Sequence, residues 1–250
     1  MKIQSINPAT EEMNATFDTY TKEQVNERCK KVSRAFDSWK QLSIDKRGEH
    51  FLELASILRK NKEKYARFIT QEMGKPIMQS RQEIEGCAKL CEMYTQRASE
   101  WLASEIVEPG RKYIRFEPSG VVLAIMPWNF PFSQALRCIV PAMMAGNVCL
   151  LRHSNRVPLC ALAIEDAFKG AGMENFFHTL ITDYKTVDNL IKSSYIHGIA
   201  VTASIDVGSR IAAQAGKRIK KVVLELGGSD PFVVLDDVNV AHVAKKATES

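Results

Sequence analysis

The chain has 250 residues, 45% of them hydrophobic and 25% charged, with a formal net charge of +5. These proportions suit a soluble globular protein able to bury a real core, built as one large α/β domain or two small ones. The positive balance is mild, and Lys30 and Lys31 stand near Glu27 and Asp37, so a solvated surface is read rather than a nucleic-acid patch.

Met1-Lys2-Ile3 runs into polar Gln4-Ser5 and an Asn7-Pro8 turn, which is not a signal-peptide pattern. No apolar run approaches the roughly 20 residues that a membrane span requires. The six cysteines, at 29, 87, 91, 138, 149 and 160, lie mostly within apolar periodic segments and include no CxxC pair. Neither a zinc site nor a disulfide framework is suggested, and a reducing, cytoplasmic setting follows as the expectation. Cys87 and Cys91, four apart, fall on one helix face as small core residues.

Residues 1–104 read as mainly helical. Thr21 with Gln24 can form a capping box, and behind it Val25, Cys29, Val32, Phe36 and Trp39 recur with helical period. A second helix turns Phe51, Leu54, Ala55 and Leu58 inward. A third carries Tyr65 and Phe68 and stops near Gly74-Lys75-Pro76. A long fourth helix is predicted with Ile84, Cys87, Cys91, Tyr94 and Trp101 on its inner face. Over residues 105–118, Ile106-Val107 and Tyr113–Phe116 flank Pro109-Gly110 and predict a protruding β-hairpin whose edge invites a partner.

From residue 119 onward, short apolar runs alternate with helical stretches. The predicted strands are Val121–Met126, Asn147–Leu151, Phe176–Leu180, His197–Thr202, Val222–Leu226 and Phe232–Leu235. Helices are predicted around 132–144, 157–170, 185–193 and 206–216. This alternation defines an α/β fold with a doubly wound, mainly parallel sheet of variant Rossmann type, preceded by the helical layer.

Three places carry candidate chemistry. In Pro127-Trp128-Asn129-Phe130-Pro131, two prolines restrict a loop at the carboxyl end of a strand, where open α/β sheets place ligands. Asn129 is either a rigid amide donor to an oxyanion or a cap of the following helix. In Val201-Thr202-Ala203-Ser204-Ile205-Asp206-Val207-Gly208 a strand gives way to a helix whose free N–H groups favour a phosphate, unless Ser204 is an ordinary N-cap. In Leu224-Glu225-Leu226-Gly227-Gly228 a carboxylate follows apolar residues. Glu225 is either a general base of raised pKa or a side chain pointing outward from an edge strand. No GxGxxG occurs, which weakens the reading as a generic doubly wound dehydrogenase.

Taken together, PWNFP, RHSN, VTASxxVG and LELGGSDPF closely resemble the aldehyde dehydrogenase superfamily. The similarity runs from Ile6-Asn7-Pro8-Ala9-Thr10 to the last residues and includes Glu72-Met73-Gly74-Lys75-Pro76. Leu150–Pro158 and Gly228–Phe232 are most similar to the succinate-semialdehyde dehydrogenase branch.

The resemblance implies oxidation of a small aldehyde to its acid with NAD(P). A cysteine thiolate forms a thiohemiacetal, whose oxyanion the position of Asn129 stabilises. The position of Glu225 activates the water that hydrolyses the thioester. The resemblance also assigns cofactor contacts to Trp128, Arg152, Ala203, Ser204 and Leu226, with Asn155 near the adenosine ribose. Arg152 and Asn155 depart from the commoner Lys and Glu. A neutral Asn beside an added cation favours the 2′-phosphate of NADP, so NADP is expected to be accepted at least as readily as NAD. His153 stands where the family has a proline.

The family nucleophile follows the glutamate by a little over thirty residues, so it is expected just past Ser250, with the catalytic domain and much of the oligomerisation surface beyond. The chain is therefore read as a truncated cofactor-binding part. It is expected to be inactive and aggregation-prone alone, and the full-length form is expected to be a homo-oligomer, with the 105–118 hairpin serving that assembly. The alternative is a non-catalytic nucleotide-binding module or a partner of a full-length paralogue. No metal, nucleic acid or membrane enters either reading.

Overall fold

A computed structural model of the chain describes residues 2–249. It begins with an element absent from the sequence expectation. Strands β1 (Lys2–Ile6) and β2 (Met13–Asp18) pair antiparallel ahead of the first helix. Only Ile3 and Ser5 of β1 point inward, too short an alternation to register as a strand pattern.

Helix α1 (Lys22–Gln41) opens with the expected reciprocal cap: Gln24 N donates to Thr21 Oγ1 at 3.3 Å, and Thr21 N donates to Gln24 Oε1 at 2.8 Å. It buries Val25, Cys29, Val32 and Trp39, with Phe36 half-buried. Helix α2 (Ile44–Lys60) turns Phe51, Leu54, Ala55 and Leu58 inward as expected. Helix α3 (Lys62–Met73) ends on Gly74 at φ 78°, a left-handed conformation that glycine adopts without a Cβ penalty. Helix α4 (Ile77–Trp101) buries Ile84, Cys87 and Cys91 and half-buries Tyr94. Trp101 corrects the expectation. It is exposed at the last turn and lies against Tyr94, with ring centroids 5.4 Å apart, rather than in the core. Strands β3 (Glu105–Glu108) and β4 (Lys112–Ile114) form the predicted hairpin and leave Ile106 and Tyr113 exposed.

The main sheet has five strands: β5 (Val121–Met126), β6 (Val148–His153), β7 (Phe177–Thr179), β8 (Gly198–Thr202) and β9 (Lys221–Glu225). All pair parallel, in the order β7-β6-β5-β8-β9. They are joined by helices α5 (Pro131–Met144), α6 (Pro158–Gly170), α7 (Tyr184–Lys192) and α8 (Ile205–Gly216). Helix α5 packs against α6, and α7 against α8; with this strand order, the right-handed rule for parallel crossovers puts the two pairs on opposite faces. β5 and β6 are buried along almost their whole length, as strands covered on both faces must be. Helix α1 packs across β5, β6 and β7, and Trp39 donates from Nε1 to the Met143 carbonyl at 2.9 Å, joining the helical layer to α5.

The strand expected at Phe232–Leu235 does not form. All four residues are exposed in irregular backbone before helix α9 (Val240–Glu249), itself unanticipated. A four-residue apolar run is no strand without an edge to pair with, and no described strand pairs with it. No helix among the described residues is long and apolar enough to cross a membrane.

Candidate active site

The expected site residues lie along the carboxyl edge of the parallel sheet. Trp128 and Asn129 follow β5, Arg152 ends β6 with Asn155 just beyond, Ala203 and Ser204 follow β8, and Glu225 ends β9 with Leu226 next. Backbone bonds tie neighbouring strand ends together. Ser154 N donates to the Met126 carbonyl at 3.0 Å, and Ala203 N donates to the Glu225 carbonyl at 3.1 Å. The chain reverses direction across the sheet between β5 and β8, which is the switch point where such folds leave a ligand crevice.

Helix N-termini decide where an anion can bind along this edge. Helices α5 and α6 both start with proline and have no local side-chain cap. Their amides are instead met by buried carboxylates from the helical layer. Glu83 Oε1 accepts from Phe132 N at 2.9 Å and from Ser133 N at 3.0 Å. Glu72 accepts from Leu159 N at 2.8 Å and from Cys160 N at 2.9 Å; burial raises its pKa, and these backbone bonds oppose the rise. Helix α7 is capped by Asp183, which accepts from Thr186 N at 2.8 Å. Helix α8 differs: Ser204 occupies the N-cap position, yet its hydroxyl makes no cap bond. Carboxylates thus accept from the first amides of three of these four helices, whereas α8 has no side-chain cap, although Asp206 stands in its first turn.

Gly208, in the first turn of α8, allows Leu226 to lie against the helix. A Cβ at Gly208 would stand 2.3 Å from Leu226 Cδ2. The obstructing atom is the tip of a flexible side chain, and Ala gains up to about 1 kcal/mol over Gly inside a helix. Gly208→Ala should therefore leave the unfolding free energy within about 1 kcal/mol of the parent while displacing Leu226. A methyl NMR spectrum would show this as a moved Leu226 resonance at an unchanged melting temperature.

Arg152 is 4% exposed and makes no ion pair with any described residue. Its Nη2 donates to Asn155 Oδ1 at 3.2 Å, its guanidinium lies 4.5 Å from the Tyr184 ring centroid, and its Nε has no partner. Burial pushes its pKa below the ordinary value. Asp183 and Tyr184 offset part of that burial, but a buried guanidinium with an unsatisfied N–H and no contact ion pair is costly unless an anion completes it.

Asn129 is exposed and does not cap α5, whose N-cap position is Phe130; no hydrogen bond occupies its amide among the described residues. Glu225 stands in solvent at the end of edge strand β9, its Oε2 3.4 Å from Arg137 Nη2 of α5. It lines a largely apolar cavity of about 340 Å³ with Val122, Cys138, Ala200, Thr202 and Val223. No hydrogen bond joins Asn129 to Glu225 among the described residues.

None of the six cysteines is set up as a thiolate. Five are buried and Cys138 is half-buried. Burial pushes the Cys29 thiol up to about 11 and those of Cys91 and Cys138 to about 12, and raises Cys87, Cys149 and Cys160 as well. Such thiols are inert.

Four residues in this region escaped the sequence reading as participants: Glu72, Lys75, Glu83 and His153. The available signal was indirect. Two predicted helices opening on proline without Ser, Thr, Asp or Asn require a cap from elsewhere.

The fold and the loops along its carboxyl edge define a Rossmann-like α/β protein. The model of the aldehyde dehydrogenase family matches residues 1–250, and the chain belongs to that family. It is 41% identical over 250 residues to a Synechocystis protein named probable succinate-semialdehyde dehydrogenase [NADP(+)], covering 99% of this chain and 55% of that one. It is 40% identical to the succinate semialdehyde dehydrogenase [NAD(P)+] Sad of Escherichia coli, covering 97% and 53%. The crystal structure of succinic semialdehyde dehydrogenase from Streptococcus pyogenes with NADP+ superposes with a TM-score of 0.93 at 32% identity, covering 97% of this chain and 54% of that one. The chain thus spans about half the length of the relatives it matches.

Proposed function

We propose that this chain is the cofactor-binding part of an NAD(P)-dependent enzyme that oxidises an aldehyde, succinate semialdehyde being the substrate, and that it takes NADP at least as readily as NAD. The observation that carries the cofactor reading is Arg152, buried beside Asn155 and Tyr184 at the end of β6 with its Nε–H unsatisfied and Asp183 acting on it only from beyond ion-pair distance. The second strand of a dinucleotide fold ends where the adenosine ribose lies, and an arginine there accommodates a 2′-phosphate. The named relatives are NADP(+) or NAD(P)+ enzymes, which agrees with this placement.

In this reading the open N-terminus of α8 with Ala203 and Ser204 holds the pyrophosphate, while Trp128 and Leu226 flank the nicotinamide. The cofactor supplies hydride acceptance; the chain supplies orientation. Asn129 offers an unoccupied amide to the oxyanion of the attacked aldehyde. Glu225, wet and at the mouth of the edge strand, is the group that takes the proton of a hydrolytic water. The nucleophilic thiolate is not among the six cysteines of this chain. That observation also favours a second reading, a nucleotide-binding module without turnover of its own. An assay for aldehyde-dependent NADPH formation separates the two.

Titration calorimetry with each cofactor tests the cofactor assignment. NADP+ should bind at least as tightly as NAD+, and Arg152→Met should weaken NADP+ by about 10–100-fold, the value of a charge-assisted phosphate contact, while moving NAD+ by less than about threefold. A preference for NAD+ beyond about tenfold in the parent chain would defeat it.

A further inference from the structure

The loop bearing Asn129 is held at three successive residues on its carboxyl side, each by a buried polar group from a different element. The Phe130 ring lies under the Lys75 ammonium, 3.5 Å from Nζ to the ring centroid. The Pro131 carbonyl accepts from His153 Nε2 at 2.8 Å. Phe132 N donates to Glu83 Oε1 at 2.9 Å. The first and third grips are themselves joined, because Lys75 Nζ donates to Glu83 Oε2 at 2.5 Å. Both side chains of that pair are almost wholly buried, at 6% and 2% exposure. His153 is joined to the loop's other side as well: its Nδ1 accepts from Ser154 N at 2.9 Å, and Ser154 N also donates to the carbonyl of Met126, where β5 ends. Between these fixed points only the side chains of Trp128 and Asn129 project without a partner in hydrogen bonding.

Burying an ion pair merely to cover a helix end is an expensive way to stabilise a fold, since an apolar pair of equal volume usually serves as well. A buried pair is better suited to specifying one geometry. An amide donor for an oxyanion works only if its direction is fixed before the charge develops.

We propose that Lys75, Glu83 and His153 are positioning residues that lock the 127–132 loop so that the Asn129 amide keeps one orientation. The proposal rests on the reading of Asn129 as the oxyanion donor, but the locking itself is measurable without turnover.

The chain contains three tryptophans, Trp39, Trp101 and Trp128, so 5-fluorotryptophan labelling places one probe in the loop and two outside it. In the parent chain, Trp128, assigned through Trp128→Phe, should give one narrow 19F resonance. The double variant Lys75→Met with Glu83→Gln, which removes both charges together, should split that resonance or at least double its width while Trp39 and Trp101 stay put. Glu83→Gln alone, which keeps an acceptor oxygen for Phe132 N, should recover much of the narrow signal relative to Glu83→Ala. Arg28→Met breaks a remote cluster with Glu165 and His178 and should leave Trp128 unmoved, so general loosening is told apart from local release.

If the double variant does not fold, Phe130→Leu decides. That residue is 47% exposed, its loss leaves the Lys75–Glu83 pair intact, and the same broadening is expected. An unchanged Trp128 resonance in the folded double variant or, where that does not fold, in Phe130→Leu overturns the proposal. Titrating NADP+ into the parent chain tests the functional reading separately, since a rigid loop that binds no cofactor would refute that reading and leave the locking intact.

Discussion

Lys75→Met is expected to lower the stability of the chain by about 3–5 kcal/mol, the usual cost of leaving one member of a buried ion pair without its partner. The pair joins the turn after α3 to α4, and through Glu83 it reaches the first amides of α5. Removing the ammonium therefore leaves a buried carboxylate without its counter-ion, held only by the amides of Phe132 and Ser133, and withdraws the cation above Phe130. Glu83→Gln should be milder, because one oxygen can still accept from Phe132 N and Ser133 N. Combining the two should recover a large part of the loss, a non-additivity that a double-mutant cycle in urea would measure. Strictly additive losses would mean that the two side chains contribute independently.

The second large effect is a pH dependence. His153 is fully enclosed, with Nδ1 accepting from Ser154 N and Nε2 donating to the Pro131 carbonyl. Such a ring is neutral and has no place for a second proton. Burial first, against the opposing bond to Pro131, lowers its pKa from 6.5 to about 4. The folded value lies below the unfolded one, so the unfolded chain binds the proton more tightly. The stabilisation is complete above about pH 6.5 and is lost as the pH falls from there toward 4. By pH 5 the loss from this residue should reach about 2 kcal/mol. Unfolding free energies measured between pH 7 and pH 5 should show that slope, and His153→Gln, which can still donate to Pro131, should flatten it. A His153→Gln profile parallel to the parent would assign the slope to other groups.

The architecture of the second half of the chain was legible because local and global signals agree there. The apolar run Val121–Met126 matches β5 in full, and the other four strands of the sheet differ from their predicted limits by one or two residues. Periodicity also placed the inner faces of α1, α2 and most of α4. It failed at the ends of the pattern. Trp101 keeps the spacing of the α4 core face but sits where the helix has outrun the neighbours that would cover it. Phe232–Leu235 has the composition of a strand and no partner strand in this structure.

The candidate site was legible as a set of loops at strand ends, and the structure does bring those loops to one edge. What spacing could not reveal is how they are held. The carboxylates that fix α5 and α6 come from 49 and 88 residues away. The segment Glu72-Met73-Gly74-Lys75-Pro76 shows in sequence as a helix stop and as part of the family resemblance, but not as a set of partners for other helices. In space, Glu72 and Lys75 reach opposite ways from that stop, one toward the start of α6 and the other toward Glu83 and the start of α5. His153, read as an irregularity where the family has proline, turns out to be a clasp between two of those loops.

The carboxylates at the helix ends have a consequence for any ligand bearing more than one phosphate. With four equivalent helix termini in a row, such a ligand could shift by one strand and find comparable electrostatics. Here the first amides of α5, α6 and α7 already donate to Glu83, Glu72 and Asp183, so a phosphate displaced toward them would find those donors taken. For such a ligand the row of helix ends would act as a keyed slot, its alignment written as much by the three occupied positions as by the uncapped one.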